Sequence, residues 1–95
     1  MEFLVLSERD LTGYDLPDFE PFLPAETNTI RRLYGEGKVR SIWLRGDVRG
    51  ACFTLEAPDA AAAQDIVDSL PLAKAGMSRF QLIPLQPYGG FAQEH

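Results

Sequence analysis

The stretch Glu36–Leu72, EGKVRSIWLRGDVRGACFTLEAPDAAAAQDIVDSLPL, decides the fold of this 95-residue chain. It predicts a strand at 38–45, a hairpin, a second strand at 51–56, and a helix between Pro58 and Pro71. Both strands alternate large apolar side chains with polar ones. Because successive strand side chains point to opposite faces, each strand presents one apolar face and one mixed face. The mixed face is suited to lining a ligand cavity or to contacting another subunit.

Side-chain parity divides the two strands between a face for the helices and a face that points away. The face toward the helices is expected to carry Ile42, Leu44, Ala51, Phe53 and Leu55. The opposite face is expected to carry Ser41, Trp43, Arg45, Cys52, Thr54 and Glu56. A tryptophan exposed among other apolar groups forms a patch that favours burial, so this face predicts a homodimer or a larger assembly.

The rest of the chain completes a repeated pattern. A first strand is predicted at Phe3–Leu6, a helix from Pro24 to about Glu36, and a last strand at Arg79–Leu85. The order strand, helix, strand, strand, helix, strand predicts one α+β domain over residues 1–95. It is the ferredoxin-like βαββαβ arrangement, an antiparallel four-stranded sheet with both helices on one face.

Two segments fall outside this pattern. Residues 10–24 have no clean period, and their three prolines are expected to break any helix. They therefore predict a long loop that contains Tyr14 and packs as a lid or wraps a neighbour. Residues 86–95 are predicted to form a C-terminal tail.

Composition narrows the classes of function. The net charge of -5 argues against nucleic-acid binding, which depends on clustered cations. No apolar run has the length of a membrane span and residues 1–9 lack a signal-peptide pattern, so a cytoplasmic location is expected. The single cysteine, Cys52, cannot form an internal disulfide. No group of residues has metal-ligand spacing, and neither a metal nor another cofactor is expected.

Several residues resemble the muconolactone delta-isomerase family. The same order and spacing are found for Glu36-Gly37, Arg40, Trp43, the strand Phe53–Glu56, Pro58 and Leu70-Pro71-Leu72. The resemblance runs without a gap over residues 26–72. It implies a ferredoxin-like protomer that pairs sheet to sheet into a dimeric α/β barrel, often within larger rings. It also implies a pocket between the sheet, the helices and a neighbouring subunit, which holds a small carboxylated lactone.

The family's chemistry makes Glu26 the candidate catalytic residue. Moving a double bond in a lactone needs a base that takes a carbon-bound proton, and a cation or hydrogen-bond donor for the enolate oxygen. Glu26 can be the base, but an acid in a first helical turn also stabilises the helix through its dipole. Both explanations stay open. The candidate substrate-binding residues are Arg45 for the anion, with Arg40, Trp43, Ser41 and Tyr14 around it.

The strand residues also have alternative explanations. Arg45 can pair with Glu56 across the hairpin, and Trp43 can fill a subunit interface. Arg40 and Arg45 have opposite parity, so both face one cavity only if a bulge intervenes. A nucleophile pair of Cys52 with the terminal His95 is not expected.

Three functions are compatible with these patterns. The first is a cofactor-free isomerase that acts by proton transfer on a small anionic lactone or ring compound. The second is a non-catalytic small-molecule-binding or assembly protein with the same barrel. The third, a cofactor-free monooxygenase or cyclase of aromatic polyketides, rests on fold analogy alone. The first two differ in whether Glu26 opens into a cavity or onto solvent.

Overall fold

The computed structural model describes residues 1–91, so His95 and the end of the predicted C-terminal tail lie outside this range. The elements are β1 (Glu2–Arg9), α1 (Leu16–Phe19), α2 (Leu23–Gly35), β2 (Val39–Leu44), β3 (Ala51–Glu56), α3 (Ala60–Asp68), α4 (Pro71–Lys74) and β4 (Ser78–Pro84). Turns of 3-10 helix lie at Glu20–Phe22 and Gly89–Phe91.

The four strands form one antiparallel sheet in the order β2-β3-β1-β4. Strand β1 is central and pairs with both β3 and β4, while β2 and β4 are the edges. The long helices, α2 and α3, lie in the two connections that lead from β1 to β2 and from β3 to β4. This is the predicted ferredoxin-like α+β fold.

One face of the sheet forms the core with α2 and α3. The fully buried residues of this core include Phe3, Val5, Val39, Leu55, Ala63, Val67 and Leu70. Each large side chain among them contributes about 1.5–3 kcal/mol by leaving water. On α3 the buried stripe is formed by Ala63 and Val67, with Ile66 packed at its margin.

The ends of the long helices follow from local residues. Gly37 has a φ of 77°, in the left-handed region, and its backbone N–H donates to the Tyr34 carbonyl. The next N–H, of Lys38, donates to the Leu33 carbonyl, so α2 ends in a Schellman arrangement, close to the predicted end at about Glu36. At the start of α3, the Asp59 side chain accepts a hydrogen bond of 2.8 Å from the Ala62 N–H.

The prediction of a loop without helix over residues 10–24 is wrong. Its prolines lie in the first turns of helical segments, where a missing N–H costs no hydrogen bond. They are Pro17 in α1, Pro21 in the 3-10 turn and Pro24 in α2. Phe19 is fully buried in a second small cluster with Leu72 and Met77, so this segment packs against its own chain.

Two strands differ from their predicted course. Strand β1 continues beyond Leu6 to Arg9, because its last residues pair with the start of β4. In β2, the register shifts between Val39 and Ser41, which is a bulge. Because of the bulge, Val39 and Ile42 lie on the same face of the sheet. Val39 pairs with Leu55, and Ile42 pairs with Phe53. Arg40, at the bulge, is exposed.

Across residues 1–91, none of the helices combines the length and the apolar character needed to cross a membrane.

Candidate active site

A cavity of about 490 Å³ opens between the helix-bearing face of the sheet, α2 and the β2–β3 hairpin. Its apolar walls include Leu23, Ile30, Ile42, Leu44, Phe53, Leu72 and Phe80. Its polar lining consists of Ser7, Arg9, Glu26, Thr27, Arg45, Arg49 and Ser78. An apolar cavity with a few convergent polar groups is typical of a small-molecule site.

Glu26 reaches this cavity from the first turn of α2 and is half-buried. Its Oε1 atom accepts a hydrogen bond of 3.0 Å from the backbone N–H of Leu72, in the first turn of α4. Burial raises the pKa of Glu26 above its ordinary value of 4.5, although the Leu72 N–H and the positive charge of Arg9 oppose the increase. A carboxylate that is fixed in place and has a raised pKa is suited to act as a base.

Arg45 is fixed by the hairpin rather than by the opposite strand. Its Nε and Nη2 atoms donate to the two carboxylate oxygens of Asp47, at 3.0 and 2.7 Å, and its Nη1 donates to the Ser7 carbonyl at 3.3 Å. Asp47 therefore raises the pKa of Arg45. The predicted alternative, a pair with Glu56, is wrong. Glu56 lies at the other end of β3 and binds the amino group of Met1 at 2.7 Å.

The position of Arg45 relative to the sheet also differs from the prediction. Strand β2 ends at Leu44, so the alternation of side chains no longer applies at the next residue. Arg45 was expected to face away from the helices, but it lines the same cavity as Glu26 and Phe53.

The floor of the cavity depends on a close backbone contact between β1 and the hairpin. The Ser7 hydroxyl accepts a hydrogen bond of 2.8 Å from the Ala51 N–H. At Gly50 the two chains approach so closely that an added Cβ atom would lie 1.9 Å from the Ser7 carbonyl oxygen. Glycine is therefore required here by space, because any side chain would meet the backbone of β1.

Two solved structures share this architecture over nearly their whole length. A muconolactone isomerase is 19% identical, with a TM-score of 0.78, and the match covers 100% of this chain and 98% of the other. This chain has the fold of muconolactone isomerase. The second is 5-chloro-2-hydroxyhydroquinone dehydrochlorinase from Burkholderia phenoliruptrix AC1100, in complex with 2,5-dihydroxybenzoquinone. It is 16% identical, with a TM-score of 0.75, and the match covers 95% of this chain and 98% of the other. No protein-family model matches the chain, and no curated protein matches its sequence.

The resemblance to muconolactone isomerase that residues 26–72 indicate is therefore confirmed as a likeness of fold. Within this fold, three of the six predicted site residues line the cavity. They are Glu26, Trp43 and Arg45. Trp43 belongs to the cavity only at its margin, on the edge strand β2. Its side chain is 60% exposed and is paired with Cys52 on the outer face of the sheet.

The other three predicted residues lie away from the cavity of this muconolactone isomerase-like fold. Tyr14 packs edge-on against Phe19, with ring centroids 6.1 Å apart. Arg40 is exposed at the bulge. Ser41 pairs with Thr54 on the outer face of the sheet, and its N–H donates to the Thr54 hydroxyl at 3.1 Å.

Sequence reasoning missed Arg9, Ser7 and Arg49. The signal for two of them was the alternation in β1, where Phe3, Val5, Ser7 and Arg9 share one face. The predicted strand ends with the apolar run at Leu6, so Ser7 and Arg9 were not included in this alternation. Arg49 lies in the hairpin loop, where no strand alternation indicates the direction of a side chain.

The described residues hold no group of three histidine, cysteine or acidic side chains that could bind a metal ion. Cys52 is a free, partly buried cysteine opposite Trp43 in the sheet.

Proposed function

We propose that this chain is an isomerase that moves a proton within a small anionic ring compound, such as a lactone, without a cofactor. One observation carries the proposal: Glu26 is a half-buried carboxylate with a raised pKa, and it is fixed by the Leu72 N–H at the wall of a cavity of about 490 Å³. An acid that served only to stabilise the start of α2 would gain nothing from this burial.

The proposed reaction has two proton transfers. The Glu26 carboxylate takes a proton from the carbon beside the ring carbonyl, and the electron pair of that C–H bond moves toward the carbonyl oxygen as an enolate. The Glu26 carboxyl then returns the proton to the far end of the conjugated system. The double bond shifts, and no atom is gained or lost. A cationic side chain of the cavity lining that is not already paired with a carboxylate lowers the energy of the enolate.

The two solved proteins of this fold support the reaction class. They are named as an isomerase and a dehydrochlorinase. In both kinds of reaction a proton must leave the substrate, which needs a base, the role that we assign to Glu26 in this chain.

The proposal is tested by incubating the protein with muconolactone in deuterated water and following the substrate by NMR. We expect protein-dependent uptake of deuterium at carbon together with a shift of the double bond. The same measurement is repeated with other small lactones and with hydroxyquinols. If ligands raise the melting temperature but none exchanges a proton or turns over, the function is binding rather than catalysis.

We also propose that the outer face of the sheet forms a homodimer contact. Helices cover only the opposite face, and the outer face presents Trp43 beside partly buried apolar residues of the neighbouring strands. These neighbours are Leu4, Leu6, Cys52 and Ile83. An exposed apolar surface of this kind is typical of subunit contacts.

Trp43→Asp should convert the dimer to a monomer or to aggregates, because it places an unpaired charge in the contact. The mass in solution, measured by light scattering at micromolar concentration, checks this. Tyr34→Asp is the control, since Tyr34 on α2 is 63% exposed and lies on the helix side. A wild-type mass equal to one chain would contradict the proposed contact, as would equal masses for Trp43→Asp and the wild-type dimer.

A further inference from the structure

A second cavity, of about 550 Å³, adjoins the first where β1 ends beside the hairpin. The two cavities share four lining residues, which are Arg9, Arg45, Val48 and Arg49. The second cavity also contains Arg79 and the carboxylates Glu8 and Asp47. Four cationic side chains therefore meet two anionic ones in an otherwise acidic protein.

The two carboxylates of the second cavity are already paired. Asp47 binds Arg45 at 2.7 Å, and Glu8 binds Arg79 at 3.6 Å. Within residues 1–91, no ion pair joins Arg9 or Arg49 to a carboxylate. These two guanidinium groups supply the unneutralised positive charge at the junction of the cavities.

Arg9 and Arg49 are also held near each other. The backbone N–H of Arg9 donates to the Arg49 carbonyl at 2.8 Å, next to the close contact between Gly50 and Ser7. The Arg9 guanidinium lies 5.0 Å from the centre of the buried Phe19 ring, a cation–π contact that orients its plane. A planar guanidinium held by its face keeps its edge donors available, and these fit a carboxylate.

Arg9 also faces the candidate base. The positive charge of Arg9 opposes the rise in the pKa of Glu26, and both side chains line the first cavity. No ion pair closes the space between them in the described part of the chain. A ligand carboxylate on Arg9 would therefore leave the rest of the ligand between that arginine and the Glu26 carboxylate.

We infer that Arg9 and Arg49 bind the carboxylate of the ligand at the junction of the two cavities and direct its ring into the first cavity toward Glu26. The inference takes the class of ligand from the proposed function. Arg45, whose charge is shared with Asp47, then fixes the hairpin that carries Arg49.

The test uses benzoate and its neutral counterpart benzamide as probes. The arginine Nε–Hε signals of the 95-residue chain are assigned by NMR and followed as each probe is added. Benzoate should shift the Arg9 and Arg49 signals in a saturable way, and Arg9→Gln or Arg49→Gln should weaken its binding about tenfold, the effect of one charge-assisted hydrogen bond. Benzamide binding should be the same in both variants as in the wild type.

Arg31→Gln is the matched control, because Arg31 is exposed on α2 and lines neither cavity. The inference is overturned if benzoate does not bind saturably at millimolar concentration, if it shifts all arginine signals alike, or if the Arg9 and Arg49 variants bind it as well as Arg31→Gln does. These outcomes need no turnover. Saturable benzoate binding with no reaction of any lactone would reject the isomerase and leave the anion site established.

Discussion

Glu26→Gln should lower kcat on a confirmed substrate by about 10²–10⁴-fold, which is the usual contribution of a general acid–base residue. Glutamine keeps the size of the side chain and an oxygen that can accept the Leu72 N–H, so the helix contact is retained. Substrate KM should change little, because the carboxylate acts in the transition state. Steady-state kinetics measured together with thermal unfolding separates the loss of a base from a loss of folding.

The control for this variant is Glu20→Gln, the same chemical change at an exposed residue outside the cavity. In the wild type, kcat should fall with decreasing pH through a pKa above 4.5, since the base must be ionised. The residual activity of Glu26→Gln should lack this acidic limb. Full activity of Glu26→Gln, or an unchanged acidic limb in that variant, would show that another group is the base.

The same pKa makes a prediction for stability. Between 4.5 and the raised pKa of Glu26, the folded chain binds more protons than the unfolded chain. The free energy of unfolding contributed by Glu26 therefore falls as pH rises through this window. Glu26→Gln should be more stable than the wild type at about pH 7 and similar to it at about pH 4. Denaturant unfolding of both proteins measures the difference, and a variant that is less stable at neutral pH would contradict it.

Comparing the two proteins removes the effect of other titrating groups. The pKa values of Asp10, Glu36 and Asp47 are lowered, mainly by hydrogen bonds to neighbouring side chains. These groups add stability above their ordinary pKa values that is lost as pH falls. That acid-side loss occurs equally in the wild type and in Glu26→Gln, so the difference between them reports Glu26.

Gly50→Ala should destabilise the fold more than any other glycine-to-alanine change in the hairpin. The new Cβ would lie 1.9 Å from the Ser7 carbonyl oxygen and 2.7 Å from the Ser7 carbonyl carbon, so backbone rather than a side chain must move. Overpacking of this kind costs about 1–3 kcal/mol or more. For a domain of this size the melting temperature should fall by roughly 4–24 °C.

Gly46→Ala is the matched control in the same hairpin, because nothing lies within 4 Å of its Cβ position. The Gly50 variant should also bind ligand more weakly, since Ser7 and the hairpin form the floor of the cavity and the Ser7 carbonyl accepts a hydrogen bond from Arg45. Equal melting temperatures for Gly46→Ala and Gly50→Ala would show that β1 and the hairpin can separate at no cost.

Local patterns in the sequence predicted most of the fold. The alternation in residues 51–56 matches β3 in both its bounds and its buried face. Gly37 and Asp59 mark helix ends because a left-handed turn and an N-cap need particular residues. The prolines of residues 10–24 were wrongly predicted to break any helix, since the same residue that breaks a helix in its interior is favoured in its first turn.

The candidate site was predicted only in part, because it depends on contacts between distant segments. Glu26 was found from its place in a first helical turn, but the Leu72 N–H that fixes its carboxylate is 46 residues away. The alternation of side chains in β2 does not predict where the Arg45 side chain points, since the strand ends one residue earlier, at Leu44. Arg9 was missed because the pairing of β1 with β4 extends a strand whose apolar run has already ended.

The sequence by itself determined the order of the four strands and the two long helices and the apolar face of the strands, since these follow from the period of neighbouring side chains. Only the tertiary structure decided which polar groups share a cavity. Arg9 and Arg49 meet because the missing side chain of Gly50 lets the hairpin approach β1. This proximity depends on steric contact between segments that are far apart in the chain, and no local pattern of side chains in the sequence predicts it.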